Sequence, residues 1–128
     1  MRLDGLAFPF LGVGVQRILL KSKLHRAVIT KADVEYEGSI EIPLDLLERA
    51  GIWEGERVLV TSATSGARLE TYVQAGEPGT GEIIMNGGAA HLIKAGEFVT
   101  IMAFAVSDTP ILAKRLVMTP QNEVLRQS

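Results

Sequence analysis

The run VEYEGSIEIPLDLLERAG, residues 34–51, sets the reading of the whole chain. Two short strand halves lie on either side of Gly38-Ser39. Gly tolerates backbone angles that other residues avoid, and Ser can bond its own backbone, so the pair has the chemistry of a turn. PLDLLERAG then reads as a two-turn helix. Pro43 suits the first helical position and Gly51 the C-terminal stop. Leu44, Leu47 and Ala50 would share its buried face.

Working outward, the same short elements recur. RAVIT (26–30) is β-branched and strand-like, and ERVLVTS (56–62) is a strand with Val58 and Val60 on one face. ATSG (63–66) is a tight turn into ARLETYVQA (67–75), so these two strands form a hairpin. GEPGTG is a loop, EIIM is a strand ending at Asn86, and GGAAHLIK is a short helix closed by Gly96. EFVTIMAFAV (97–106) is apolar on both faces, which suggests burial against a neighbouring subunit as well as the core. The tail after Asp108, with two prolines and many polar residues, reads as loosely ordered. Six or more short strands with two short helices imply a small, mainly β barrel with helical corners.

A chain of 128 residues fits one domain and buries enough surface for one core. A net charge of −2 provides no broad basic field for nucleic acid. The absence of cysteine removes disulfides, thiolate metal sites and cysteine nucleophiles, and two histidines, His25 and His91, make a histidine-built zinc site improbable. Residues 1–14, MRLDGLAFPFLGVG, are apolar but too short to span a bilayer. Asp4 and the lack of an A-x-A pattern argue against a signal peptide. The favoured expectation is a wrongly chosen upstream start, with Val15 as the true first residue.

The chain holds no G-x-S-x-G elbow, P-loop or dinucleotide fingerprint. The polar residues that remain as candidates are Lys23, His25, Arg26, Tyr36, Ser39, Arg68, Thr71, Tyr72 and Asn86. Each has a plain structural reading: a solvated charge, a packed ring with a wet hydroxyl, or, for Asn86, a helix N-cap.

Taken together they carry more. LLKSKLHRAVITKADVEYEGSIEI, SGARLETYV and IIMNGGAAHLIKAGE occur in this order between Leu19 and Glu97. The set K-x-H-R, Y-E-G-S, G-x-R-x-x-T-Y and N-G-x-A-A strongly resembles pyruvoyl-dependent aspartate 1-decarboxylase, over about residues 16–106. The resemblance implies a double-psi β-barrel, a bacterial cytoplasmic homotetramer, and a proenzyme that cuts itself between Gly38 and Ser39. Ser39 would become a pyruvoyl group that captures L-aspartate as a Schiff base, giving β-alanine and CO2 for pantothenate biosynthesis. A maturation helper protein is a conceivable partner; nucleic acid, membrane and metal are not expected. By position Tyr72 matches the proton donor. Thr71 matches a residue near the cleavage site and substrate, and Arg68 and Lys23 match basic groups for substrate carboxylates. Asn86 and the backbone of Gly87, Gly88 and Ala89 would stabilise developing oxyanion charge. His25 and Tyr36 are supports. Gly38 is expected in a strained bend. Gly88 departs from a run of three alanines, which should loosen the loop by about 1 kcal/mol. On this division, residues 15–106 form the barrel and 107–128 receive no role.

A second resemblance covers only residues 39–60, SIEIPLDLLERAGIWEGERVLV, which is similar to swapped-hairpin DNA-binding regulators. The segment is acidic, whereas DNA binding needs clustered Lys and Arg.

Overall fold

The computed structural model of the protein describes residues 14–128, so the expected start-site extension before Val15 falls almost entirely outside the described residues. Among the described residues nine strands occur: β1 (Arg17–Val28), β2 (Lys31–Asp33), β3 (Ser39–Pro43), β4 (Arg57–Ser62), β5 (Arg68–Gly76), β6 (Ile84–Asn86), β7 (Phe98–Ser107), β8 (Lys114–Met118) and β9 (Val124–Gln127). One α-helix, α1 (Leu44–Ala50), follows β3, and a 3-10 turn (Gly87–His91) follows β6.

The strand order is β2-β6-β3-β5-β4-β7-β1-β8-β9. β2 continues the line of β1, and this closes the structure. One edge of β1 pairs with β7. Further along, the Thr30 amide donates to the Ile83 carbonyl at 2.8 Å, and Lys31 to Asp33 pair in parallel with β6. The cycle β1/β2, β6, β3, β5, β4, β7 is therefore complete, which removes free sheet edges from the barrel proper. Parallel pairs β2–β6 and β3–β5 flank the antiparallel β3–β6 pair, and β5–β4, β4–β7 and β7–β1 are antiparallel, in keeping with the expected double-psi barrel. Inward residues Leu24, Ile40, Ile42, Val60, Val73, Met85 and Ile101 have no exposed surface. Each contributes on the order of 1.5–3 kcal/mol by burial.

The β4–β5 hairpin forms as expected. Its turn is pinned by Glu97, whose Oε1 accepts from Ser62 Oγ at 2.6 Å and Ser65 Oγ at 2.9 Å. The Ser62 hydroxyl is the main reason this carboxyl is held below its ordinary range.

Several expectations change. Residues 34–37 form a turn, not a strand half. Pro43 ends β3 with ψ of 137° and caps α1 from outside, because its backbone still follows the strand. Gly51 does stop the helix, in the left-handed conformation. The buried helical residues are Leu46, Leu47 and Ala50, while Leu44 is exposed: leaving the strand one residue later rotates the inward face. The helix expected over 87–94 shortens to the five-residue 3-10 turn.

The largest correction concerns the tail. β8 runs parallel to β1, and β9 pairs back on β8. Leu116 and Met118 lie in the core. Asn122 is the fastener: Val28 N–H donates to its Oδ1 at 2.8 Å, and its Nδ2 donates to the Val28 carbonyl at 2.9 Å and the Gly81 carbonyl at 2.7 Å. It is buried and sits at φ 61°, where Asn is one of the few tolerated side chains. Asn122→Ala leaves three backbone groups without this partner and should destabilise the fold by about 3 kcal/mol. Urea unfolding monitored by circular dichroism measures the loss.

Candidate active site

Ser39 opens β3 and is wholly buried, although Gly38 immediately before it is exposed. Three strands meet at this point. β6 brings Asn86 directly opposite Ser39 in antiparallel register. β5 runs parallel on the other edge with Ile40 beside Val73, so residues 72 and 74 share the Ser39 face. The Ser39 hydroxyl donates to Gln74 Oε1 at 3.0 Å and accepts from Asn86 Nδ2 at 3.2 Å. Gln74 Nε2 in turn makes a long, 3.5 Å donation to the Tyr36 hydroxyl. Tyr36, Gln74, Ser39 and Asn86 thus form one polar chain. Among the described residues, no carboxylate or imidazole is hydrogen-bonded to the Ser39 hydroxyl.

The backbone next to Ser39 is fitted against the loop after β6. Gly87 has φ of 75°, and a Cβ there would lie 2.6 Å from Gly38 Cα and 2.7 Å from Gly38 N. This is contact that only glycine permits. Gly38 itself is different from what was expected. Its φ lies outside the left-handed range and a Cβ would meet nothing within 4 Å, so the junction carries no glycine-specific strain. Gly88 is likewise open: a Cβ there has no neighbour within 4 Å.

A cleft of about 640 Å³ adjoins the chain of polar groups, with Tyr36, Asn86, Lys31, Asp33 and Glu41 on its wall. Tyr72 is 44% exposed. Arg68 lies on the same strand face, four residues or roughly 13 Å away. Thr71 alternates to the other face, with Val73. Lys23 and His25 sit elsewhere. Lys23 pairs with Met102, Met102 with Leu59 and Leu59 with Glu70, so three strand spacings, roughly 14 Å, separate it from β5. His25 Nδ1 lies 3.4 Å from Thr100 Oγ1. Ala89 is half-buried beside Gly88. Of the sequence candidates, Ser39, Asn86, Gly87 and Tyr36 come together here, joined by a residue outside the motifs, Gln74. Its only signal was the two-residue offset from Tyr72 on a strand.

These features define a β-barrel enzyme built around a Gly-Ser junction. The chain belongs to the aspartate decarboxylase family, whose sequence profile matches residues 15–124. It is 47% identical over 110 residues to aspartate 1-decarboxylase of Thermotoga sp. strain RQ2, covering 86% of this chain and 96% of that one. It is 54% identical over 91 residues to the enzyme of the same name from Myxococcus xanthus strain DK1622, covering 71% and 70%. A rationally designed protein of known structure, mkDPBB_sym1, overlays with a TM-score of 0.44 at 14% identity, covering 68% of this chain and 96% of that one. The profile match runs well past Ser65, through segments that have no place in a swapped-hairpin DNA-binding module, and includes most of the tail. No described helix is long and apolar enough to cross a membrane.

The two adjacent glycines separate by substitution. Gly87→Ala must displace Gly38 and strain the backbone, and should cost at least about 2 kcal/mol. Gly88→Ala should be neutral or stabilise by about 0.5 kcal/mol through the unfolded chain. Thermal unfolding of the two variants side by side checks the contrast.

Proposed function

We propose that the protein is a self-processing L-aspartate 1-decarboxylase that forms β-alanine and CO2, with Ser39 as the precursor of its pyruvoyl group. The observation that carries the reading is the buried Ser39 hydroxyl, held between two amides directly after an exposed glycine, in a chain of this family.

Processing follows from the chain's own groups. Ser39 Oγ attacks the Gly38 carbonyl carbon. The C–N bond breaks, the amine takes the hydroxyl proton, and the amide becomes an ester. Asn86, donating to Oγ, holds the nucleophile in place, while the charge of the tetrahedral intermediate develops on the Gly38 carbonyl oxygen. Loss of the Ser39 Cα proton then expels Oγ with Gly38 as a carboxylate. A carboxylate leaves far more readily than an amide. The remaining enamine becomes an imine, water adds, and ammonia departs, so residues 39–128 begin with a ketone. Exposure of Gly38 suits this sequence, because water can reach its carbonyl and solvate the carboxylate product.

The finished group supplies an electron-withdrawing carbonyl beside the carbon that loses CO2. The protein's residues do the rest. Tyr72, exposed on the Ser39 face of β5, holds and returns a proton to that carbon. Arg68 takes a substrate carboxylate through its planar fork. Backbone N–H groups of Gly87, Gly88 and Ala89 hold the other end. Thr71 acts through the strand backbone, since its side chain alternates away. Lys23 and His25 stand on β1, three strands from β5, and Arg68 stands four residues along β5 from Tyr72; all three complete the site of a neighbouring copy in a homotetramer. Exposed Ile18, Phe104 and Val106, clustered where β1 meets β7, supply an apolar face for that assembly. A cytoplasmic setting, supply of β-alanine for pantothenate, and a maturation helper belong to the same reading.

Mass spectrometry of the purified protein should show a fragment ending at Gly38 and a second covering 39–128 with a carbonyl terminus. Ser39→Ala should remain one inactive chain; cleavage of that variant at the same bond would exclude Ser39 as nucleophile. Tyr72→Phe keeps the ring and should cleave normally, yet form β-alanine at least about 100-fold more slowly. Near-normal turnover by Tyr72→Phe would assign the proton to another group.

A further inference from the structure

We infer that Gln74 is a positioning residue for self-cleavage, orienting the Ser39 hydroxyl for attack on Gly38. The inference rests on the reading of Gly38-Ser39 as a self-cleaving junction and extends it to a residue outside the motifs. A hydroxyl has one proton. Asn86 Nδ2 donates to Ser39 Oγ, so the hydroxyl's own proton must go to an acceptor, and the acceptor in reach is Gln74 Oε1 at 3.0 Å. That bond fixes the rotation of the O–H bond in a side chain with no exposed surface, where water cannot substitute.

The amide is itself oriented. Its Nε2 faces the Tyr36 hydroxyl at 3.5 Å, which leaves Oε1 for Ser39. Tyr36 stands on the turn that leads into Gly38, so the amide ties the serine to the segment carrying the carbonyl it attacks. The ladder with β3 holds Gln74 in place: Ile40 pairs with Val73 and Glu41 with Gln74. An amide carbonyl is not a base. Gln74 therefore directs the proton and does not remove it, and proton transfer to the departing nitrogen remains with the Ser39 hydroxyl itself.

Two substitutions test this on freshly synthesised full-length chain, with cleavage followed by mass spectrometry over time at several pH values. Gln74→Leu removes the acceptor at similar size and should slow cleavage about tenfold, the rate equivalent of one hydrogen bond of about 1.4 kcal/mol. Gln74→Glu places a carboxylate where the amide was. Its cleavage rate should rise with pH through a step between about 4 and 8, the range of an ordinary to buried carboxylate, that wild type lacks. A merely structural role would not produce that step. Gln74→Leu cleaving at or above the wild-type rate, or a Gln74→Glu profile parallel to wild type, overturns the inference while leaving the reading of the junction intact. Failure of wild type to cleave removes both.

Discussion

Strand β3 lies between an antiparallel neighbour, β6, and a parallel one, β5, and the proposed chemistry depends on that placement. Ile40 and Ile42 face the core with no exposed surface. A slip of one residue in either ladder would turn both isoleucines outward, at a cost of roughly 3–6 kcal/mol for the pair, and bring polar residues into the core. The apolar residues of β3 thus hold the register, and the register delivers Ser39 to Asn86 on one side and Gln74 on the other. The site is precise because it shares its strand with the core.

Burying a polar cluster beside that core is tolerable only if each group is partnered. Ser39 donates once and accepts once, and Asn86 reaches it across the ladder. The close approach of Gly87 to Gly38 completes the enclosure from the backbone side. Ser22 provides the contrast within the same barrel: it is equally buried, yet its hydroxyl has no partner among the described residues. Buried hydroxyls are not uniformly satisfied in this fold, so the two bonds on Ser39 reflect a specific arrangement.

Much of this was legible in the sequence, with limits that have physical causes. Alternating apolar residues exposed β4, the ATSG turn marked β5, a continuous apolar run marked β7, and Gly51 marked the end of α1. The part of β1 before Arg26 was not legible, because Lys21, Lys23 and His25 interrupt its apolar residues. The order of the tail depends on Asn122 bonding Val28, a contact between residues 94 positions apart that no local pattern announces. Ser39, Asn86 and Gly87 were legible because they stand in dense motifs. Gln74 was not, since a glutamine in a strand has no signature until register shows what it faces. Lys23 illustrates the opposite case: its motif was clear, and only the strand order shows that it stands apart from Ser39.

The same topology would let the chain survive the cut proposed after Gly38. Cleavage there would sever the connection between β2 and β3, but it would sever no ladder. β1 remains between β7 and β8, and β2 remains on β6. Leu24, Ala27 and Ile29 stay in the core, where their burial opposes release of the smaller fragment. Gly38 is exposed, so a new carboxylate there would not be buried without a partner. Ser39, in contrast, begins the strand that cannot shift register. A break at this one bond therefore frees the end that water can solvate and leaves fixed the end that must be positioned. The exposed Gly38 and the buried Ser39, adjacent in sequence and opposite in environment, are what make that asymmetry available.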